Sequence, residues 1–226
     1  MTLNESLRHE LGTGIYSIPD VAFILGLPKE KVRRWMKEFW DGKLSKDYNR
    51  KYSWGEGRDK VTHFHTLIEF YVFYQLRELN ISTKKILVAH NAIAEQLNTP
   101  FPFASSKVLS DGKSILFTLD DGTIVNADYS KQAAFKEIIE SFCKKIEFSK
   151  ADIAECFYPM GRDRHIIVDP HHQFGQPTIE NTNILAETLF DLHNAGESNL
   201  FLSRLYKVPV QQIEDAISFF SAKTAA

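Results

Sequence analysis

The sequence predicts an α+β fold, mainly α. Apolar residues recur at helical spacing near both ends of the chain, and strand-like runs flank Gly-x-Gly and Asp-Gly turns between them. No apolar run nears the ~20 residues a membrane helix needs. The expected architecture is an amino-terminal winged helix-turn-helix, a small β-meander and a carboxy-terminal trihelical, helix-turn-helix-like unit. On that basis the chain divides into residues 1–104, a mixed β/α connecting region at 105–169, and a trihelical unit at 170–226. With 226 residues, 43% hydrophobic and 25% charged, it falls in the globular class. Met1 to Gly14 are polar and unlike a signal peptide, and Cys143 and Cys156 read as reduced thiols, so a cytoplasmic protein without membrane contact is expected.

Ser17 is placed to cap a first helix that holds Pro19 in its first turn and buries Val21, Ile24 and Leu25 before Gly26 closes it. Leu27-Pro28-Lys29-Glu30 starts a second helix with Val32, Trp35, Met36 and Phe39 facing inward. Lys29, Lys31, Arg33, Arg34 and Lys37 take its remaining faces. Lys51 to Trp54 and Arg58 to Phe64 flank Gly55-Glu56-Gly57 and read as a hairpin, or wing, whose second run carries Arg58 and Lys60. Between Lys29 and Lys60 eleven cations stand against six acids. A basic helix after a tight turn, followed by a wing, points to duplex DNA, met by Lys29, Lys31, Arg33, Arg34, Lys37, Arg58 and Lys60, with the protein a dimer on a two-fold operator. Arginine forks suit guanine edges and lysines neutralise phosphate. The plainer reading of such a helix is a solvated charged face.

Long helices are predicted from about Thr66 to Leu79, and from Ser82, the cap, to about Leu97, with Pro100 and Pro102 ending this half. Phe70, Tyr71, Phe73 and Tyr74 exceed what one helix face needs, so they fill either a wide core face or a dimer interface. The run Asp20-Val-Ala-Phe-Ile-Leu-Gly-Leu-Pro28, Val32-Arg-Arg-Trp35, the wing and Leu79-Asn-Ile-Ser82 resemble the winged helix-turn-helix domain of the MerR class of regulators. The chain departs from that class in lacking a long carboxy-terminal coiled-coil helix with an effector-binding cysteine. Sensing of a metal or small molecule is therefore not carried over.

Lys107 to Asn126 reads as a meander turned at Asp111-Gly112 and Asp121-Gly122, and Ala133 to Lys145 as one amphipathic helix. Phe148 to Tyr158 and His165 to Val168 are further strand candidates, and Arg162 and Arg164 lie in a turn ahead of the second. His63 and His65 would share one strand face, and Asp169 sits beside His171-His172, but neither set has the partner spacing of a zinc module. Asp120-Asp121-Gly122 is first a turn device. No Ser/His/Asp order, Gly-rich phosphate loop or His-Glu-x-x-His run occurs. Neither a metal, a cofactor nor catalysis is expected.

The last quarter opens on Pro177-Thr-Ile179, and Ile184, Leu185, Leu189 and Leu192 follow at helical spacing. Asn194-Ala195-Gly196 ends that helix, and Ser198 caps a second one carrying Leu202, Leu205 and Tyr206. After Val208-Pro209, residues Val210, Ile213, Ala216, Ile217 and Phe220 form one stripe on a third. From His171 onward three cations face six acids. Glu214 and Asp215 stand where a DNA-reading helix would need cations, so this unit is expected to contact protein.

This order of turn, helix, Ala-Gly break, Leu-Tyr helix and apolar helix resembles a bacterial family catalogued as domain of unknown function 433, over roughly residues 170–221. Members often accompany PIN-like ribonuclease toxins. The resemblance therefore implies an antitoxin whose partner is such a toxin, and one that autoregulates its operon. Arg162 and Arg164 would then pair with the nuclease's clustered carboxylates, where the plainer reading is a solvated loop. The rival function is a MerR-type transcriptional regulator whose back half senses a ligand or dimerises.

Overall fold

A computed structural model describes residues 13–48, 51–105 and 141–224, and among them the protein is mixed α and β, mainly helical. Strand β1 (Tyr16–Ser17) runs straight into helix α1 (Ile18–Leu25) through a reciprocal cap. The Ser17 hydroxyl accepts from the Asp20 amide at 3.3 Å, and the Asp20 carboxylate accepts from the Ser17 amide at 2.8 Å. Gly26, at φ 65°, ends the helix in the left-handed conformation.

Helix α2 (Lys29–Trp35) is followed without a break by a helical stretch that passes Phe39, the last apolar residue expected on it. The chain stays helical through Met36–Leu44, where the ladder widens so that Ser45 N–H reaches Trp40 C=O, and then through α3 (Ser45–Tyr48). Met36, Trp40 and Leu44 are all fully buried, a spacing of four that suits the wider turn. A Cβ at Gly42 would lie 2.7 Å from Lys37 C=O, so the widened turn requires glycine there.

The predicted hairpin forms from β2 (Ser53–Trp54) and β3 (Val61–Thr62), antiparallel, with one tight turn at Gly57–Asp59. Strand β1 pairs with the other edge of β3, which fixes the hairpin to the start of α1. Strand β3 stops at Thr62, so His63 and His65 do not share a strand face. Instead His63 caps helix α4 (Phe64–Glu78), its Nδ1 accepting from Thr66 N–H at 3.4 Å, while His65, in the helix, donates from Nε2 to Ala154 C=O at 3.2 Å. The alternation that suggested a strand is the short β3 joined to a capping residue.

Helix α4 is buried on nearly every side. Phe70 and Phe73 are wholly buried and Tyr71 nearly so, with Trp40 4.4 Å from Phe70 and Trp35 4.8 Å from Phe73, both edge to face. These aromatics therefore line a wide core face, and only Tyr74 is half-exposed. Helix α5 (Thr83–Leu97) starts on its Ser82 cap. A buried pair, His90 Nε2 and Glu69 at 2.7 Å, joins α4 to α5, and the second oxygen of Glu69 takes Phe103 N–H at 2.7 Å.

The meander expected at 107–126 and most of the helix expected at 133–145 lie outside the described residues. Beyond them, β4 (Ile146–Phe148) pairs with β5 (Ala154–Phe157), and β6 (Ile166–Ile167) with β7 (Thr178–Ile179), all antiparallel. Phe142, Ile146, Ala154, Phe157 and Val168 complete the core around α4. Helices α6 (Ala186–Asn194), α7 (Asn199–Tyr206) and α8 (Val210–Thr224) surround a second core of Leu189, Leu202, Ile213, Ala216 and Phe219, closed by Ile166 and Ile179.

His63 sets an acid limit on this fold. Burial and the neighbouring His65 push its imidazole down to about 3, so it stays neutral and can accept the cap bond. The unfolded chain binds that proton near pH 6.5, so between about 6.5 and 3 it holds more protons than the folded chain, and stability falls as pH falls. Replacing His63 with Asn, which caps without titrating, should flatten the stability slope in that window by up to about 1.4 kcal/mol per pH unit, measured by urea denaturation at pH 7, 6, 5 and 4. An unchanged slope would show that His63 carries none of it.

Candidate nucleic-acid interface

Helical geometry sets residues 30, 33, 34 and 37 on one face of α2 and its widened continuation, and Glu30, Arg33, Arg34 and Lys37 there are all exposed. Lys29 is exposed at the helix start and Arg58 at the hairpin tip. The seven cations singled out from the sequence fall into two groups. Lys29, Arg34, Lys37 and Arg58 make no ion pair with another described residue. The other three are engaged. Arg33 pairs with Glu30, and the Lys31 amine lies 5.2 Å from the Trp35 ring and 5.0 Å from that of Tyr74. Lys60 donates to Asp41 at 2.5 Å and to the Ser53 hydroxyl at 3.2 Å. That last cluster ties the hairpin to the helical stretch after α2 and so sets how Arg58 stands relative to Arg34 and Lys37.

Arg162 and Arg164 are held within the fold. Arg162 lies over the Tyr158 ring at 4.5 Å and donates to Lys144 C=O at 2.8 Å, Ile146 C=O at 3.2 Å and Glu147 at 3.2 Å. It braces β4. Arg164 donates to Asp215 at 2.7 Å. The Asp215 side chain has no exposed surface and also accepts from His165 Nδ1 at 2.7 Å, His165 N–H at 3.1 Å and Gln211 at 3.2 Å. Burial alone would raise its pKa. The bonds from Arg164, His165 and Gln211 outweigh burial and hold the carboxyl below the usual value. Of the two acids expected to face outward on the last helix, only Glu214 does. Asp215 points inward because it shares the buried side of α8 with Phe219, four residues on.

Helix α8 also reaches α1. Phe23 of α1 sits 5.5 Å from Phe219 and 4.8 Å from Phe220. Lys223 donates to Phe23 C=O at 2.5 Å and Ile24 C=O at 2.6 Å, satisfying the last turn of α1, while burial and nearby Lys145 push its amine down to about 7. A second tie lies in front of α1, where Ile15 N–H meets Phe174 C=O at 3.0 Å and Tyr16 packs on Gly175. Gly175 has φ +85°, and a Cβ there would come within 2.0 Å of the Tyr16 hydroxyl. Between α1 and the carboxy-terminal helices lies a cleft of about 380 Å³, with Phe23, Phe190 and Phe220 among its walls and Lys29, Glu187 and Asp191 at its edge.

Residues 166–220, from β6 to near the end of α8, match the family model described as "Protein of unknown function (DUF433)". Along its length the chain is 22% identical to "Putative antitoxin VapB45" of Mycobacterium tuberculosis, an alignment covering 98% of this chain and all of that protein. The fold resembles the crystal structure of Rv2018 from Mycobacterium tuberculosis, with a TM-score of 0.69 at 17% identity, over 89% of this chain and 96% of that one.

Among the described residues, no group of three or more His, Cys, Asp or Glu side chains is arranged to hold a metal ion, and no helix is long and apolar enough to cross a membrane. Cys156 is buried, which pushes its thiol up to about 12 and leaves it unreactive. Sequence reading missed Asp215, His165 and Lys223. The signal for Asp215 was Phe219, whose spacing from it places both on the buried side of the helix.

The Asp215 cluster has a measurable signature. Its pKa is depressed in the folded chain, so its contribution is complete above the unfolded carboxylate value of about 3.9 and is lost as pH falls through the folded one. Asp215→Asn should lower stability by about 2 kcal/mol at pH 7, the scale of charge-assisted bonds removed from a buried place. The gap from wild type should begin to narrow below about pH 4. Urea midpoints at pH 7 and pH 3 check both halves, and a gap as wide at pH 3 as at pH 7 would show that charge is not its source.

Proposed function

We propose that this protein is a DNA-binding antitoxin that neutralises a PIN-like ribonuclease toxin and autoregulates its operon. The observation that carries the reading is the end-to-end similarity to a Mycobacterium tuberculosis protein named as an antitoxin, together with the DUF433 match at the carboxy-terminal end. The geometry supports the DNA half. On this reading β1 to β3 and α1 to α2 act as a winged helix-turn-helix, and α2 presents Arg34 and Lys37 to the major groove. Lys29 and Arg58 flank them on the phosphates. Arg33 joins by leaving Glu30, an exposed pair that holds it weakly. Lys31 and Lys60 shape the surface rather than read it. A dimer would place two such faces on a two-fold operator, and the reading requires neither catalysis nor a cofactor.

The toxin half falls to the carboxy-terminal helices. Arg162 and Arg164 are partly exposed but engaged by β4 and by Asp215, so we assign them to holding their turn, and toxin contact to exposed residues of the carboxy-terminal helices. One observation favours the rival function of a ligand-sensing regulator. The cleft between α1 and the carboxy-terminal helices has the size and aromatic walls of a small-molecule site.

Arg34→Ala with Lys37→Ala should weaken binding to the DNA upstream of the gene by tenfold or more at 100 mM salt. The salt dependence should flatten by about one counterion for each phosphate that the variant no longer neutralises. Gel shifts at three salt concentrations measure this. Unchanged affinity and slope would remove α2 from the interface, and failure of the wild type to protect cells from a co-expressed PIN-like nuclease of a neighbouring reading frame would remove the antitoxin reading.

A further inference from the structure

Helix α7 buries Leu202, and its position is fixed without the help of its outer face. The Ser198 hydroxyl caps it at Phe201 N–H, and the Ser203 hydroxyl donates to Val208 C=O at 2.6 Å. Yet on that outer face Leu200, Phe201 and Leu205 stand 54%, 48% and 56% exposed. Residues 200, 201, 204 and 205 lie side by side on a helix, so Arg204 sits among the three. Its side chain is exposed and makes no hydrogen bond or ion pair with another described residue. Three large apolar side chains gathered on one turn of a helix are an unusual surface, and such clusters mark contact sites. A guanidinium framed by apolar groups is the composition found at the energetic centre of protein interfaces.

We infer that this outer face of α7 is the toxin-docking anchor, and that it seats in an apolar groove of the partner protein whose wall carries a carboxylate opposite Arg204. The inference rests on the antitoxin reading above and names the surface it uses. Charge and shape select this occupant. Phosphate offers nothing to Leu200, Phe201 and Leu205, which sets nucleic acid aside. A groove lined by apolar side chains covers them, and a carboxylate on its wall takes the Arg204 fork in two parallel bonds. A second copy of this chain fits poorly. A two-fold contact through so small a face would bring two Arg204 guanidiniums together, with no carboxylate among Leu200, Phe201 and Leu205 to separate them.

The test uses the full-length chain and a PIN-like nuclease taken from a neighbouring reading frame, with affinity read by titration calorimetry and protection by growth on co-expression. Phe201→Ser with Leu205→Ser should weaken toxin binding at least a hundredfold and abolish protection. Its melting temperature and operator affinity should match wild type, since the side chains removed are exposed. Arg204→Glu should weaken toxin binding at least tenfold, and Arg204→Lys should restore part of it. If the wild type binds toxin and these variants bind it equally well, the anchor lies elsewhere, while the antitoxin reading stands. If the wild type binds no toxin, both fall. If the serine variant changes the protein's mass by light scattering from dimer to monomer with toxin affinity intact, the face belongs to a second copy and the inference is overturned.

Discussion

The contact on which the two ends of the chain depend is the seat of α1 on α8. Phe23 fits against Phe219 and Phe220, and Lys223 takes two carbonyls of α1's last turn. A helix end needs partners for its last carbonyls, and Gly26 lets the chain leave but supplies only backbone amides. The lysine completes the cap from two hundred residues away. Helix α1 supports the turn that aims α2, so the direction of the basic face is set partly by the last helix. A ligand at one end can bias the other only by binding more tightly to one arrangement of this contact than to another. The aromatic triad and the capped carbonyls are the groups that would have to differ.

Much of the fold was legible because its helix ends are written in local chemistry. Ser17, Ser82 and Ser198 each cap the helix predicted for them, because a hydroxyl that accepts from an amide two or three residues on needs no tertiary help. The continuation from Trp40 to Tyr48 was not legible. Its apolar residues recur every four positions, which suits neither an ideal helix nor a strand, and only the widened ladder around Gly42 makes them one stripe. His63 shows a second limit. A cap made by an imidazole acceptor requires a neutral ring, and that neutrality comes from burial, which no pattern of neighbours records.

The candidate site was legible in kind and less so in detail. Residue types and spacing placed the cations on α2 and the hairpin. Which of them are engaged depends on side chains distant in sequence. Lys60 meets Asp41 across nineteen positions and Arg164 meets Asp215 across fifty-one, and neither pair has a local signature. Arg162 and Arg164 illustrate why a charged turn is weak ground for a binding site. The same fork that suits a partner's carboxylate suits one within the chain, and here Glu147 and Asp215 supply it. The converse case is Leu205. Helical spacing grouped it with Leu202, yet a helix of eight residues buries one narrow face, and Leu205 lies outside it.

Charge and shape then separate two surfaces that a single chain must keep from competing. The stretch from Lys29 to Lys60 is basic and the stretch after Pro170 is acidic. The α1–α8 contact brings them together, with Lys29 and the carboxylates of Glu187 and Asp191 lining one cleft. On the DNA-binding reading, a phosphate backbone drawn to Lys29, Arg34 and Lys37 is repelled from the Glu187 and Asp191 side of that cleft at short range, within roughly 8–10 Å at physiological salt. On that reading, the acids confine the duplex to the outer side of α2 and the hairpin tip. On the same reading, the apolar ridge of α7 has no attraction for phosphate and is left to a protein partner. A chain that held a toxin and an operator at once would need that division, and the α1–α8 contact, by joining two oppositely charged segments, would supply it.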